Sequence, residues 1–182
     1  MTDPVATTSD HTDGLASAPN SELARDLSHI DGQGIFRMVD VSDKPISVRS
    51  AVASGHISMK LETFKAIRDN TLKKGDVIPV ARLAGIQAAK KTAELVPLCR
   101  PLPLSGIEVA VSLEESLPGC RVEAFARTTA QTGVEMEALT AVSVSLLTIY
   151  DMAKAVDRTM EISGIVLREK RGGTTGDFTR SP

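Results

Sequence analysis

Few side chains in this sequence join a charge to a position from which it could act. Asp151 and Lys154 stand three apart at the end of a nearly all-apolar stretch that begins at Glu135. On a helix that spacing puts both on one face, their Cβ atoms about 5–6 Å apart. Beside a substrate, such a carboxylate keeps a lysine charged or accepts its proton. On an open helix end the same pair is a surface ion pair worth under about 0.5 kcal/mol. Lys73-Lys74-Gly75-Asp76 falls in a loop between two helical patterns. A lysine there holds a phosphate as a point charge or titrates in catalysis; the plain alternative is a polar turn that breaks a helix. In Pro97-Leu98-Cys99-Arg100-Pro101 two prolines bracket a cysteine and an arginine. Proline fixes its own φ and restricts its predecessor, so the loop is stiff and presents Arg100 in one place, unless it is only a connector. Asp40 and Arg49 flank the first turn, where a cross-strand ion pair is the ordinary account. Glu135 and Glu137 open the apolar stretch and complement a helix dipole there. Thr132 to Glu135 also fits a capping box, which explains only one of the two acids.

The charge around these groups is uneven. The chain has 182 residues and a net charge of −2, yet residues 60–100 hold nine basic and four acidic side chains. A local excess of cations in an acidic protein suits an anionic small molecule better than a nucleic-acid duplex. Aromatic residues make up only 3%, with no Trp, so base stacking has no platform. Cys99 and Cys120 are too few for a disulfide framework or a four-thiolate zinc site, and His11, His29 and His56 are scattered. No metal site is expected. The N-terminus lacks the apolar core of a secretory signal. Residues 138–150 are too short to span a membrane. The expectation is a cytoplasmic protein with no membrane and no nucleic-acid partner.

The elements that must position these residues alternate in type. Residues 1–26 read as a disordered, acidic tail, 27–170 as one α+β domain and 171–182 as a flexible Gly-rich tail. Strands are expected at 35–41 and 46–59, separated by Asp43-Lys44-Pro45. Helices follow at 60–68, where Leu61, Phe64 and Ile67 share a stripe, and at 78–95, rich in alanine. Ile107, Val109, Val111 and Leu113 alternate with polar residues as in a half-buried strand, and Val122, Ala124 and Ala126 return as its hairpin partner. A helix over 135–156, despite its β-branched residues, and a strand over 162–169 complete the order ββααββαβ. That order makes an antiparallel sheet with helices packed on one face.

Taken together, MVDVS (38–42), KGDV (74–77), AR-AGI-AAK-T (81–92), PLC-PL (97–102), TGVEMEALTAVSV (132–144), LTIYDM-KAVDR (147–158) and K-GG—G (170–176) resemble the cyclic pyranopterin monophosphate synthase (MoaC) family of molybdenum cofactor biosynthesis. The resemblance runs in unbroken order over residues 27–178. It implies a ferredoxin-like fold and a homohexamer, a trimer of dimers with sites at subunit interfaces. It implies a lyase, acting on 3′,8-cyclo-7,8-dihydro-GTP supplied by a radical-SAM GTP cyclase, that releases pyrophosphate without metal or cofactor. By motif, Lys74 and Lys154 correspond to catalytic lysines and Asp151 to a catalytic acid or base. Lys170 is a further cation near the site. Asp40 and Arg49 match pocket positions, and Leu98, Cys99, Arg100, Met136 and Glu137 match substrate-contact segments.

Three positions depart from the family pattern. Arg100 stands where the family usually has histidine in PLCHPL. Histidine trades a proton near neutral pH and arginine does not. If that position moves a proton, the chain is a slow or inactive nucleotide-binding paralogue; if it holds phosphate, arginine serves. Ala153 replaces a common cysteine, and Thr174 replaces a common lysine.

Overall fold

A computed structural model of the chain describes residues 38–174 and 176–181. The expected tail 1–26 lies outside those residues, as do positions 35–37 of the expected first strand. The chain divides into two units, 1–39 and 40–182. Only Met38 and Val39 of the first are described, and neither belongs to a strand or helix.

The second unit runs β1 (Ser47–Ser58), α1 (Leu61–Arg68), α2 (Val77–Ala89), α3 (Thr92–Leu95), β2 (Leu104–Glu114), β3 (Gly119–Ala130), α4 (Glu135–Ala153), β4 (Glu161–Arg171) and β5 (Phe178–Thr179). The strands form one sheet in the order β2-β3-β1-β4-β5, antiparallel throughout. With helices packed on it, this is the expected α+β, ferredoxin-like architecture.

Small residues explain how close the layers come. Across β1 and β3 the helix-facing positions pair Ala51 with Ala126, Ala53 with Ala124 and Gly55 with Val122. A Cβ on Gly55 would stand 2.9 Å from the Leu146 side chain and 3.0 Å from Val142, so α4 rests almost on the backbone of β1. Between the helices, a Cβ on Gly85 of α2 would strike the Ser145 hydroxyl of α4. That hydroxyl donates to the Ala81 carbonyl at 3.0 Å. The β-branched residues of α4 do not prevent a helix, because burial outweighs their modest propensity cost. Val142, Leu146 and Ile149 are fully buried, each such side chain contributing about 1.5–3 kcal/mol. α4 alone among the described helices is long and apolar enough to cross a membrane by composition, and half of it is buried within the fold as a core helix.

Several local expectations change. Met38–Val41 form no strand, although the turn after them is present, with the Lys44 amide donating to the Val41 carbonyl at 2.9 Å. The helix expected over 78–95 is two, α2 and α3. Thr92 turns inward at the break and donates to the Ala89 carbonyl at 3.0 Å. The capping box at Thr132 is absent: α4 begins at Glu135 behind Val134, with no side-chain cap. α4 also ends at Ala153 rather than 156. Within the Gly-rich C-terminal segment, Phe178–Thr179 pairs with Lys170 and Glu169 of β4.

Candidate active site

At the C-terminal end of α4, Asp151 joins two lysines. Lys154, three residues on, meets Asp151 Oδ1 at 2.7 Å. Lys74 reaches Asp151 Oδ2 at 2.7 Å and the Asp151 carbonyl at 2.8 Å, across 77 residues of sequence. The loop before α2 makes that reach possible. Gly75 sits at φ 89°, a left-handed conformation that favours glycine, and its amide donates to the Leu72 carbonyl. Asp76 then caps α2 by accepting from the Ile78 amide at 3.3 Å. All three charged side chains are about half exposed. The hydrogen bond from Lys154, then that from Lys74, pulls the Asp151 carboxyl down to about 2. It is therefore a permanent carboxylate between two cations, well suited to orient ammonium groups toward an anionic substrate.

Asp157, absent from the sequence-derived site, anchors the chain beyond Lys154. Its carboxylate is 1% exposed and accepts from the Lys60 amide at 2.9 Å, the Thr159 amide at 2.9 Å and the Thr159 hydroxyl at 2.7 Å. The Lys60 bond leads in holding it at about 2. The signal was Asp-x-Thr, a pattern in which the carboxylate bonds the backbone two residues on.

The other predicted residues gather at the N-terminal end of α4. Glu137 is 4% exposed, and burial, with the Glu135 charge beside it, pushes its carboxyl above the usual range. Burial, with the charge of Glu137, also raises the Cys99 thiol, so the Pro97–Pro101 loop does deliver its cysteine to α4. Arg100 stands near enough to Asp40 to help the two Ser42 hydrogen bonds hold that carboxyl low. Lys170 of β4 meets Glu135 at 3.1 Å. Met136 faces outward and Leu98 is partly covered.

Arg49 does not pair with Asp40 as expected. It is 8% exposed, its Nε donates to the Ala130 carbonyl at 3.1 Å, and its Nη2 has no hydrogen-bond partner. Gly172 and Gly173, both at positive φ, cover it, and a Cβ on Gly173 would strike the guanidinium. The covering segment is held by Asp177, which accepts from the Gly172 amide at 3.0 Å and pairs with Arg171 at 3.2 Å. A buried guanidinium with an unmet donor is costly until an anion answers it.

The predicted site residues thus form two groups, not one. Their anchors on α4, Glu137 and Asp151, stand roughly 21 Å apart along the axis at 1.5 Å per residue. One group is an open pair of ammoniums on a carboxylate. The other is a covered set in which burial tunes an acid and strands a cation. Among the described residues no three His, Cys, Asp or Glu side chains converge as a metal site would need.

The profile of the MoaC family matches residues 38–173. A cyclic pyranopterin monophosphate synthase of Nostoc sp. is 51% identical over 161 residues, covering 88% of this chain and 96% of its own length. Proteins of the same name from Parvibaculum lavamentivorans and Cereibacter sphaeroides are each 54% identical over 155 residues, covering 85% of this chain and 97% and 98% of their own. Both groups of charged residues lie inside the matched span, and the chain belongs to the MoaC family.

Proposed function

We propose that this chain is a cyclic pyranopterin monophosphate synthase, converting 3′,8-cyclo-7,8-dihydro-GTP to cyclic pyranopterin monophosphate and pyrophosphate in molybdenum cofactor biosynthesis. One observation carries the reading: lysines from the KGDV and DM-K motifs, 77 and 3 residues from Asp151, meet on that one carboxylate. The reaction opens the purine-derived ring and closes the pyranopterin. A ribose-derived hydroxyl oxygen then bonds to the α-phosphorus while its bond to the bridging oxygen of the departing diphosphate breaks. Lys74 and Lys154 place positive charge on the phosphates, where charge developing on a leaving group is best stabilised. Asp151, ionised at every working pH, orients them. That is a narrower role than general acid or base. Glu137, its carboxyl raised by burial, is the better proton donor of the set.

The two groups serve one substrate through a second copy of the chain. A mononucleotide does not lie along both ends of a 19-residue helix. It fits where the Lys74–Asp151–Lys154 end of one subunit faces the Arg49–Glu137–Lys170 end of another, as the trimer-of-dimers hexamer of the resemblance provides. Asp40, Leu98, Cys99, Arg100 and Met136 line the second end. Arg100, whose charge acts on Asp40, binds phosphate there and needs no proton of its own. The substrate comes from a radical-SAM GTP cyclase in the same cytoplasmic compartment.

The test supplies the cyclic dihydro-GTP to purified protein and reads the product as a fluorescent pterin, with Arg100→His alongside. Robust product from the unmodified chain supports the reading; product only from Arg100→His makes this chain an inactive relative. Mixing Lys74→Ala with Glu137→Gln, each inactive alone, then restores activity if the site is shared between chains. No restoration in demonstrably mixed oligomers refutes the shared site.

A further inference from the structure

We propose that the sheet face turned away from the helices carries a second anion site, in the cleft between His56, Arg121, Arg168 and Arg180, for a molecule bearing linked phosphates. The cleft has a volume of about 330 Å³, at the small end of ligand pockets. It is large enough for a phosphate chain and too small for a bulky cofactor.

The backbone assembles it. His56 of β1 stands in register with Arg121 of β3 on one side and Ser163 of β4 on the other. The Ser163 hydroxyl and His56 Nε2 lie 2.9 Å apart, which fixes the ring. Between the pairs Ser54–Val166 and His56–Ser163, β4 holds one more residue than β1. The bulge contains Gly164 at φ 63°, where a Cβ would come within 2.8 Å of the imidazole. A second bulge lies between Val52–Glu169 and Ala53–Leu167, and its extra residue is Arg168. Bulges re-aim side chains and gather beside functional sites. Two of them in one strand here flank one cleft. The residue after β5 supplies the fourth wall: the Arg180 amide donates to the Arg168 carbonyl at 2.8 Å, and its Nε to the Leu167 carbonyl at 3.2 Å.

No acidic side chain lines the cleft, and among the described residues none of the three arginines makes an ion pair. The flanking register acids on this face, Glu123 opposite Ser54 and Glu161 opposite Ser58, do not line the cleft, and Glu123 lines the neighbouring hollow with Arg82 and Phe125. Three guanidinium groups facing one cleft repel each other until an anion enters, and their forks match phosphate oxygens in pairs. The same chemistry is offered by inorganic pyrophosphate and by the phosphate tail of a nucleotide.

Calorimetry on the full-length oligomer tests this. In a Lys74→Ala/Lys154→Ala background, which weakens anion binding at the proposed active site, pyrophosphate still binds. Adding Arg121→Ser/Arg168→Ser weakens that binding at least tenfold without changing the thermal midpoint or the oligomer, and Arg121→Lys/Arg168→Lys retains part of it. Competition by GTP identifies a nucleotide tail, and its failure to compete identifies free pyrophosphate. Equal binding of orthophosphate and pyrophosphate overturns the assignment. So does unchanged pyrophosphate binding in the serine variants, or a loss of assembly in them that shows these arginines to be answered by another copy of the chain. Turnover by the serine variants on an intact active site is expected to match the parent, so this proposal and the catalytic one fail separately.

Discussion

At its C-terminal end α4 holds Lys74, Asp151 and Lys154 in the open, each charge answered by another and bathed by solvent. At its N-terminal end it holds Glu137 and Arg49 under cover, one acid raised by burial and one guanidinium with an unmet donor. The difference is one of electrostatic regime. Solvent screens the open group, so its members contribute little to folding and their charge is spent on whatever approaches. The covered group lies where desolvation governs, so its members burden the fold and the Glu137 carboxyl is raised above its ordinary range. A shared site would join a screened clamp to a tuned acid.

The largest effect belongs to the open end. Lys74→Ala removes one arm of the clamp and is expected to lower turnover on the order of 10²–10⁴-fold, while the thermal midpoint stays near that of the parent. A variant that turned over normally would remove Lys74 from the site. The covered end responds differently. Gly173→Ala places a Cβ against the Arg49 guanidinium at a backbone φ of 90°. The expected cost is roughly 1–3 kcal/mol of stability, together with a loss on the order of 10²-fold in turnover from a displaced cation. Lys74→Ala therefore separates activity from stability and Gly173→Ala couples them. If Gly173→Ala left both unchanged, Arg49 would not be held by the glycine cover.

The open end was the more legible in sequence. The three-residue spacing of Asp151 and Lys154 decides their shared face by helix geometry alone. Lys74 was marked by its motif, but its partner lay 77 residues away, and no local periodicity connects them. At the covered end the residues were named and their environment was not. Nothing in the neighbourhood of Arg49 announces that Gly172–Gly173 closes over it, because the two segments meet only through the β1–β4 pairing. Thr132 and Glu135 show the opposite failure. Their spacing fits a cap, yet Glu135 is drawn to Lys170 at 3.1 Å, and a tertiary ion pair displaced the local motif. The alternating strands of the β2–β3 hairpin were readable because one face is buried and one is not. Of the expected first strand, Met38–Val41 pair with no strand, and 35–37 lie outside the described residues.

The smallest expected effects give the sharpest contrast, since variants at the two ends should move the melting temperature in opposite directions and only one of the shifts should vary with pH above 5. Glu137 has a folded value above its ordinary 4.5. Its ionisation weakens the fold, fully so above the folded value and not at all below 4.5. Glu137→Gln removes that burden, so the variant should melt higher than the parent near pH 8, with the gap closing as pH falls toward 4.5. Asp151 has a folded value of about 2, below its ordinary 3.8. Its ionisation supports the fold above 3.8, and the support is lost as pH falls toward 2. Asp151→Asn should therefore melt slightly lower than the parent, by an amount that stays flat from pH 8 to 5. Melting both variants beside the parent across that range checks the pair. A Glu137→Gln variant that melts lower than the parent at pH 8 would mean that the buried carboxylate is answered by a cation, and the covered end would then be a second clamp rather than a tuned acid.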